Sequence, residues 1–176
     1  GSHRCRTAPG SKLLAAPMLG FLGSAAGRRY TGSLNSQQNA LTPGPNDPVS
    51  DSPHEVLYLR DEISGALWSA TPLPIRVSGA KHTITHGKGW TRFTNDANGI
   101  DLALTQCVPT ADSLKLSRLR LCNHSRHSRH LSITGEVQWA LGASGTRPGP
   151  LVVPARTPQT GAWVAPPRGR PRLRDC

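Results

Sequence analysis

Gly99–Leu141 reads GIDLALTQCVPTADSLKLSRLRLCNHSRHSRHLSITGEVQWAL. Ile100, Leu102, Leu104, Gln106 and Val108 fall on one parity, with Asp101, Ala103, Thr105 and Cys107 on the other. A period of two is that of a strand with one face buried, because successive side chains point to opposite sides of a sheet. Leu114–Cys122 repeats the alternation, but its apolar phase slips by one residue at Ser117–Arg118, which predicts a β-bulge. Leu131, Ile133, Gly135, Val137, Trp139 and Leu141 form the apolar face of a third strand, which places the Trp139 indole in the core.

Upstream the same period recurs. Val56–Arg60 is a strand, Asp61–Gly65 is turn chemistry, and Ala66–Ala70 returns. Thr71-Pro72-Leu73-Pro74 breaks the ladder, since proline lacks the amide donor. His82–His86 and Trp90–Thr94 flank Gly87-Lys88-Gly89 as a hairpin, and Asn95–Gly99 is a second turn rich in residues that tolerate positive φ. No stretch of ten residues carries a helical stripe. Short strands punctuated by turns predict an all-β, antiparallel sandwich.

The 176 residues suggest one domain, with a net charge of +11. That excess sits at the ends: residues 1–33 and 144–176 each carry +5, and the stretch between them +1. A nucleic-acid binder places its Lys and Arg on the folded body, where they track phosphates, so this distribution argues against that class. Apolar residues concentrate between 34 and 143, which predicts a folded middle with weaker ends. Leu13–Ala26, behind Arg4, Arg6 and Lys12, imitates a signal peptide, but Pro17, Gly20 and Gly23 interrupt it. No stretch approaches the ~20 apolar residues that span a bilayer.

Cys107 and Cys122 flank a hairpin centred near Ala111, which sets Cys107 near Lys115 and leaves the two cysteines roughly 23 Å apart at ~3.3 Å per residue. A disulfide needs Cα atoms within ~7 Å. Free thiols fit a reducing compartment, so a cytoplasmic location is expected. Cys122, His124, His127 and His130 invite a zinc reading, yet their spacing fits no finger pattern and Arg126 and Arg129 interleave them. His82 and His86 share a strand face. The expectation is therefore no metal and no cofactor.

Glycoside chemistry needs two carboxyl groups at a set separation. Asp61 and Glu62 are adjacent at a turn, and Asp47 and Asp51 lie in the polar, proline-punctuated stretch Ser33–Pro53. Nothing apolar surrounds them to raise a pKa, and no catalytic residue is expected. Ser33–Pro53 reads as a long surface loop, or as a loop whose side-chain amides meet sugar hydroxyls. Trp68 and Trp90 stand at strand–turn junctions, where an indole either packs at the core rim or stacks on a pyranose ring.

Six segments in order, NSQQNALTPGPNDPVSD, EVLYLRDEISGALWSATPLPI, HGKGWTRF, GIDLALTQCVP, LKLSRLRLCNHS and LSITGEVQWALG, resemble the β-sandwich domain of cyclic β-1,2-glucan synthases, also found ahead of the helical barrel in cellobiose and chitobiose phosphorylases. The resemblance runs from residue 8 to 165, leaving residues 1–7 and the basic 166–176 (PPRGRPRLRDC) as tails. It implies a supersandwich, here incomplete, that packs against an (α/α) barrel absent from this chain. The family's general acid lies on that barrel, so no catalytic residue carries over. The expected role is a non-catalytic scaffold that contacts β-glucan or an oligosaccharide, within a parent family attached to the bacterial inner membrane. Asn46, Asp47, Arg60 and Asp61 match motif positions, and with Trp68 and Trp90 they form the candidate substrate-binding set. Alternatives are a stand-alone glucan-binding module and a basic nucleic-acid binder. Gly10 and Gly44 replace expected tryptophans, Lys12 and Ala16 replace expected asparagines, and the pattern stops after Ala165, which predicts a truncated product of marginal stability.

Overall fold

The computed structural model describes residues 11–24, 27, 29–35, 38–43, 53–112, 114–140, 155–156 and 163–164. Among them there is no helix. Strands β1 (Ser11–Ala15), β2 (Leu19–Ser24) and β3 (Arg29–Ser33) form an antiparallel meander. Strand β4 (Glu55–Asp61) runs between β5 (Leu67–Ser69) and the later β10 (Leu131–Val137). Strands β6 (His82–Gly87), β7 (Trp90–Ala97), β8 (Ile100–Cys107) and β9 (Leu116–Asn123) form a four-stranded antiparallel meander, and β11 (Ala155–Arg156) pairs with β12 (Trp163–Val164). All pairings are antiparallel.

Two of these sheets face one another across the main core. Leu59, Trp68 and Ala70 of one layer meet Phe93, Ala97, Ile100, Leu102 and Leu104 of the other, all nearly excluded from solvent. Burial of this kind stabilises by about 25 cal/mol per Å² of apolar surface, so the alternating residues of β7 and β8 fix which face turns inward. Asn98 and Gly99, with φ of 55° and 75°, form the two-residue loop that joins Ala97 to Ile100. Two successive positive φ values match the right-handed twist of the flanking strands, the type I′ geometry that Asn-Gly favours.

Four expectations are corrected. First, Asn95 and Asp96 belong to β7 rather than to the turn; Asn95 is buried and its amide donates to the Ala70 carbonyl at 3.3 Å. Second, the β8–β9 register runs unbroken from Ile100 opposite Asn123 to Cys107 opposite Leu116, so there is no bulge at Ser117–Arg118. The apolar phase slips because Leu119 and Leu121 line the core while Leu116 projects from the opposite face, 50% exposed. Third, the expectation of a weaker N-terminal end does not hold over the described residues of Leu13–Ala26. Pro17 sits in the loop between β1 and β2, and Leu14, Leu19 and Phe21 bury beside Val108 in a second core. The N-terminal end from residue 11 is therefore part of the fold. Fourth, Trp139 is outside the core, 43% exposed, as are Ile133 at 52% and Val137 at 41%. Ile133 and Val137 of β10 share the inward parity of Leu57 and Leu59, and Trp139 lies just past the strand's end, but β10 is the outer strand of its sheet among the described residues and lacks a covering layer there.

Within Ser33–Pro53 the residues at 38–42 pack onto β3. Ala40 bridges Gly32, Leu41 and Thr42 donate backbone bonds to the Thr31 carbonyl, and Ala40 and Thr42 are each 1% exposed. Cys107 and Cys122 are free, with Cys122 opposite Asp101 at the far end of β8. Among the described residues no helix is long and apolar enough to cross a membrane.

Candidate functional site

The residues singled out by sequence do not converge. Asn46 and Asp47 lie outside the described residues. Trp68 is 1% exposed and packs within the main core, so its indole has no surface to offer a sugar. Asp61, 2% exposed, is committed to structure. Its Oδ1 accepts from the Ile63 amide at 2.9 Å and the Ser64 amide at 3.4 Å, and its Oδ2 meets Arg129 Nη2 at 2.6 Å. The Ile63 bond leads in holding its carboxyl below the ordinary value, burial opposes this, and the Ser64 bonds and Arg129 add to it. Arg129 also donates to the Asn98 carbonyl at 3.1 Å, so one guanidinium ties the β4–β5 turn to the β7–β8 turn. Arg60 projects from the opposite side of β4 and sits 3.8 Å from Glu62, with most of its side chain in solvent.

Trp90 stands on the outward face of the four-stranded sheet. Thr91, Phe93, Asn95 and Ala97 point inward and are buried, which turns Trp90, Arg92, Thr94 and Asp96 outward. The indole lies against Gly87, where an added Cβ would fall 2.1 Å from a ring carbon. That close approach needs a residue without a side chain. The Arg92 guanidinium lies 5.3 Å from the indole centroid, and its Nε donates to Thr105 Oγ1 at 3.0 Å. The register places Thr105 between Arg92 and Arg118, and Ala103 between Thr94 and Arg120. Because Leu59 and Phe93 turn into one shared core, Arg60 and Trp90, on the other parity of their strands, occupy opposite sides of the sandwich.

The histidine-rich turn is local structure. His124 Nε2 meets Asp101 Oδ2 at 2.7 Å, and Asn123 Nδ2 donates to the His127 carbonyl at 2.8 Å. Among the described residues no group of three or more His, Cys, Asp or Glu is arranged to hold a metal.

Sequence reasoning missed one constellation. At the seam between the two cores, Glu55 accepts from Thr31 Oγ1 at 2.6 Å and pairs with Lys115, while Arg29 Nη1 donates to the Glu55 carbonyl at 3.3 Å. Arg29 also stacks 5.6 Å from the Phe93 ring centroid, and Lys115 lies 4.5 Å from that of Phe21. Burial lowers Arg29 to about 10 against the pull of Glu55, and its Nε and Nη2 are without partners among the described residues. Burial pushes Glu55 up, but Lys115, Thr31 and Arg29 outweigh it and hold the carboxyl below its ordinary value. Lys115 is itself lowered, by burial first and Arg29 further, against Glu55. Beside this seam a cavity of about 210 Å³ is lined mainly by Leu19, Leu41, Leu114, Val137 and Trp139. The one sequence signal was a lysine between two leucines at 114–116, at the start of the phase slip.

Comparison with known proteins fits this architecture. Residues 2–165 match the family described as glycosyl hydrolase 94, supersandwich domain. The chain is 31% identical over 145 residues to the cyclic beta-(1,2)-glucan synthase NdvB of Rhizobium meliloti (strain 1021), covering 82% of this chain and 5% of that protein. It is 27% identical over 114 residues to an N,N'-diacetylchitobiose phosphorylase of Vibrio furnissii, covering 64% of this chain and 14% of the relative. A solabiose phosphorylase of Paenibacillus borealis is 26% identical over 84 residues, 48% of this chain and 11% of that protein. The chain thus spans only a small part of each relative.

Proposed function

Because the chain belongs to the glycosyl hydrolase 94 supersandwich family, we propose that it serves as the non-catalytic β-sandwich portion of a glucan synthase or related phosphorylase, scaffolding a catalytic (α/α) barrel and contacting glucan. The observation that carries this reading is the fate of Asp61 within an otherwise family-matched fold. Asp61, the motif carboxylate that lies among the described residues, is consumed by two turn amides and Arg129, in a buried site. An acid that must protonate a leaving oxygen needs a raised pKa and an open approach, and Asp61 has neither. Arg60 and Trp90 remain as surface contacts on opposite faces, which suits one side for a polypeptide partner and the other for sugar. A cytoplasmic location for this portion, and an inner-membrane attachment of the parent, belong to the same proposal.

Incubation of the chain with β-1,2-glucan and inorganic phosphate tests it. No sugar phosphate is expected by chromatography, and turnover that survives repurification would overturn the non-catalytic reading.

A further inference from the structure

We propose that the outward face of β6–β9 is a glycan platform, with Trp90 as its stacking surface and Arg92, Arg118 and Arg120 as donors to sugar hydroxyls. The inference rests on the glucan-contact reading above and gives that contact a place.

Residues 34–143 are nearly neutral in sum, yet the arginine end of this face is not. The strand register concentrates what the sum averages. Arg92 and Arg118 stand on either side of Thr105, and Arg120 follows Arg118 on the same parity. Arg92, Arg118 and Arg120 are all exposed, and no ion pair engages them among the described residues. Beside them Trp90 lies half-buried between Gly87 and the Arg92 guanidinium, which hold its position. A fixed indole loses little conformational freedom on binding, and the part of the ring left open by Gly87 and the Arg92 guanidinium offers an apolar contact to the C–H face of a pyranose. Guanidinium groups carry five N–H donors and no acceptor, and hydroxyl oxygens of a sugar can accept from them.

The same face carries carboxylates. Asp96 lies opposite Asp101 one row beyond Thr94 and Ala103. A neutral polyol needs both donors and acceptors, and this face supplies guanidinium groups at one end and carboxylates at the other. A phosphate backbone crossing it would meet those carboxylates, so the mixed signs favour a neutral glycan over nucleic acid.

Titration calorimetry with linear β-1,2-glucan oligosaccharides against the full chain tests the platform. Affinity should fall about tenfold or more in Trp90→Ala and in Arg118→Ser, and hold in Arg60→Ser on the opposite side. Arg118 is exposed and unpaired, so its variant keeps the fold even if Trp90→Ala does not. Binding unchanged in Arg118→Ser and in any folded Trp90→Ala would overturn the platform while leaving glucan contact standing. Absence of binding by the full chain would remove both. Tight retention of single-stranded DNA, lost steeply with salt and abolished by Arg118→Ser, would reassign the face to polyanions and also overturn the proposal.

Discussion

Glu55 faces two buried cations, Arg29 and Lys115, and its loss would leave both without a counter-charge. Breaking such a cluster from one side costs more than the cluster is worth, because the desolvation already suffered by the partners is no longer answered. Glu55→Gln should therefore destabilise by about 3–5 kcal/mol, read as a lower urea midpoint at neutral pH. The pH dependence follows from the direction of the shift. Folding holds the Glu55 carboxyl below its ordinary value of 4.5, so the stability it contributes is complete above that value and is lost as pH falls through the lower, folded-state value. Acid titration of the urea midpoint should show this loss in the wild type, with a shallower slope in Glu55→Gln. An equal slope in both proteins would mean another carboxylate governs acid unfolding. None of this was legible in the sequence, because Arg29, Glu55 and Lys115 are brought together only when the β1–β3 meander docks on the sandwich.

At the scale of the element, strand alternation was largely readable. β4, β6, β7, β8, β9 and β10 fall where period two placed them, and in β7 and β8 the two faces see different media. The bulge was misread for an instructive reason. An apolar slip has two solutions, an inserted residue or a strand with apolar groups on both faces, and sequence pattern does not separate them. Here Leu116 simply faces outward. Two substitutions test local geometry. Gly87→Ala would drive a Cβ into the indole of Trp90, so it should shift Trp90 fluorescence and destabilise by roughly 1–3 kcal/mol. Leu34 has φ of 54° and is 69% exposed, so it bears left-handed strain with little burial to compensate. Leu34→Gly should raise stability by up to about 1 kcal/mol in thermal unfolding, the relief of strain exceeding the added chain entropy. A lower midpoint would show that the Leu34 side chain contributes more than its exposure suggests.

At the scale of the whole molecule, β10 is an outer strand of its sheet among the described residues. Ile133, Val137 and Trp139 face the interior side yet remain in solvent, and a cavity opens beside them. An outer strand with apolar side chains and no proline invites pairing with another chain. Ile133→Lys should reduce concentration-dependent association in light scattering, while changing stability by no more than about 0.5 kcal/mol, because the site is half in water already. Association unaltered by this change would place the sticky surface elsewhere.

The sequence by itself determined the fold class, the parity of most strands, the Asn98-Gly99 turn and the family, because each depends on short-range periodicity or on the order of local motifs. Only the tertiary structure decided that Trp68 is sealed and Trp139 bare, that Asp61 answers Arg129, and that Glu55 holds two cations. Those outcomes depend on which layer covers which face, and a strand's own pattern says that one side is to be buried without saying whether anything arrives to bury it.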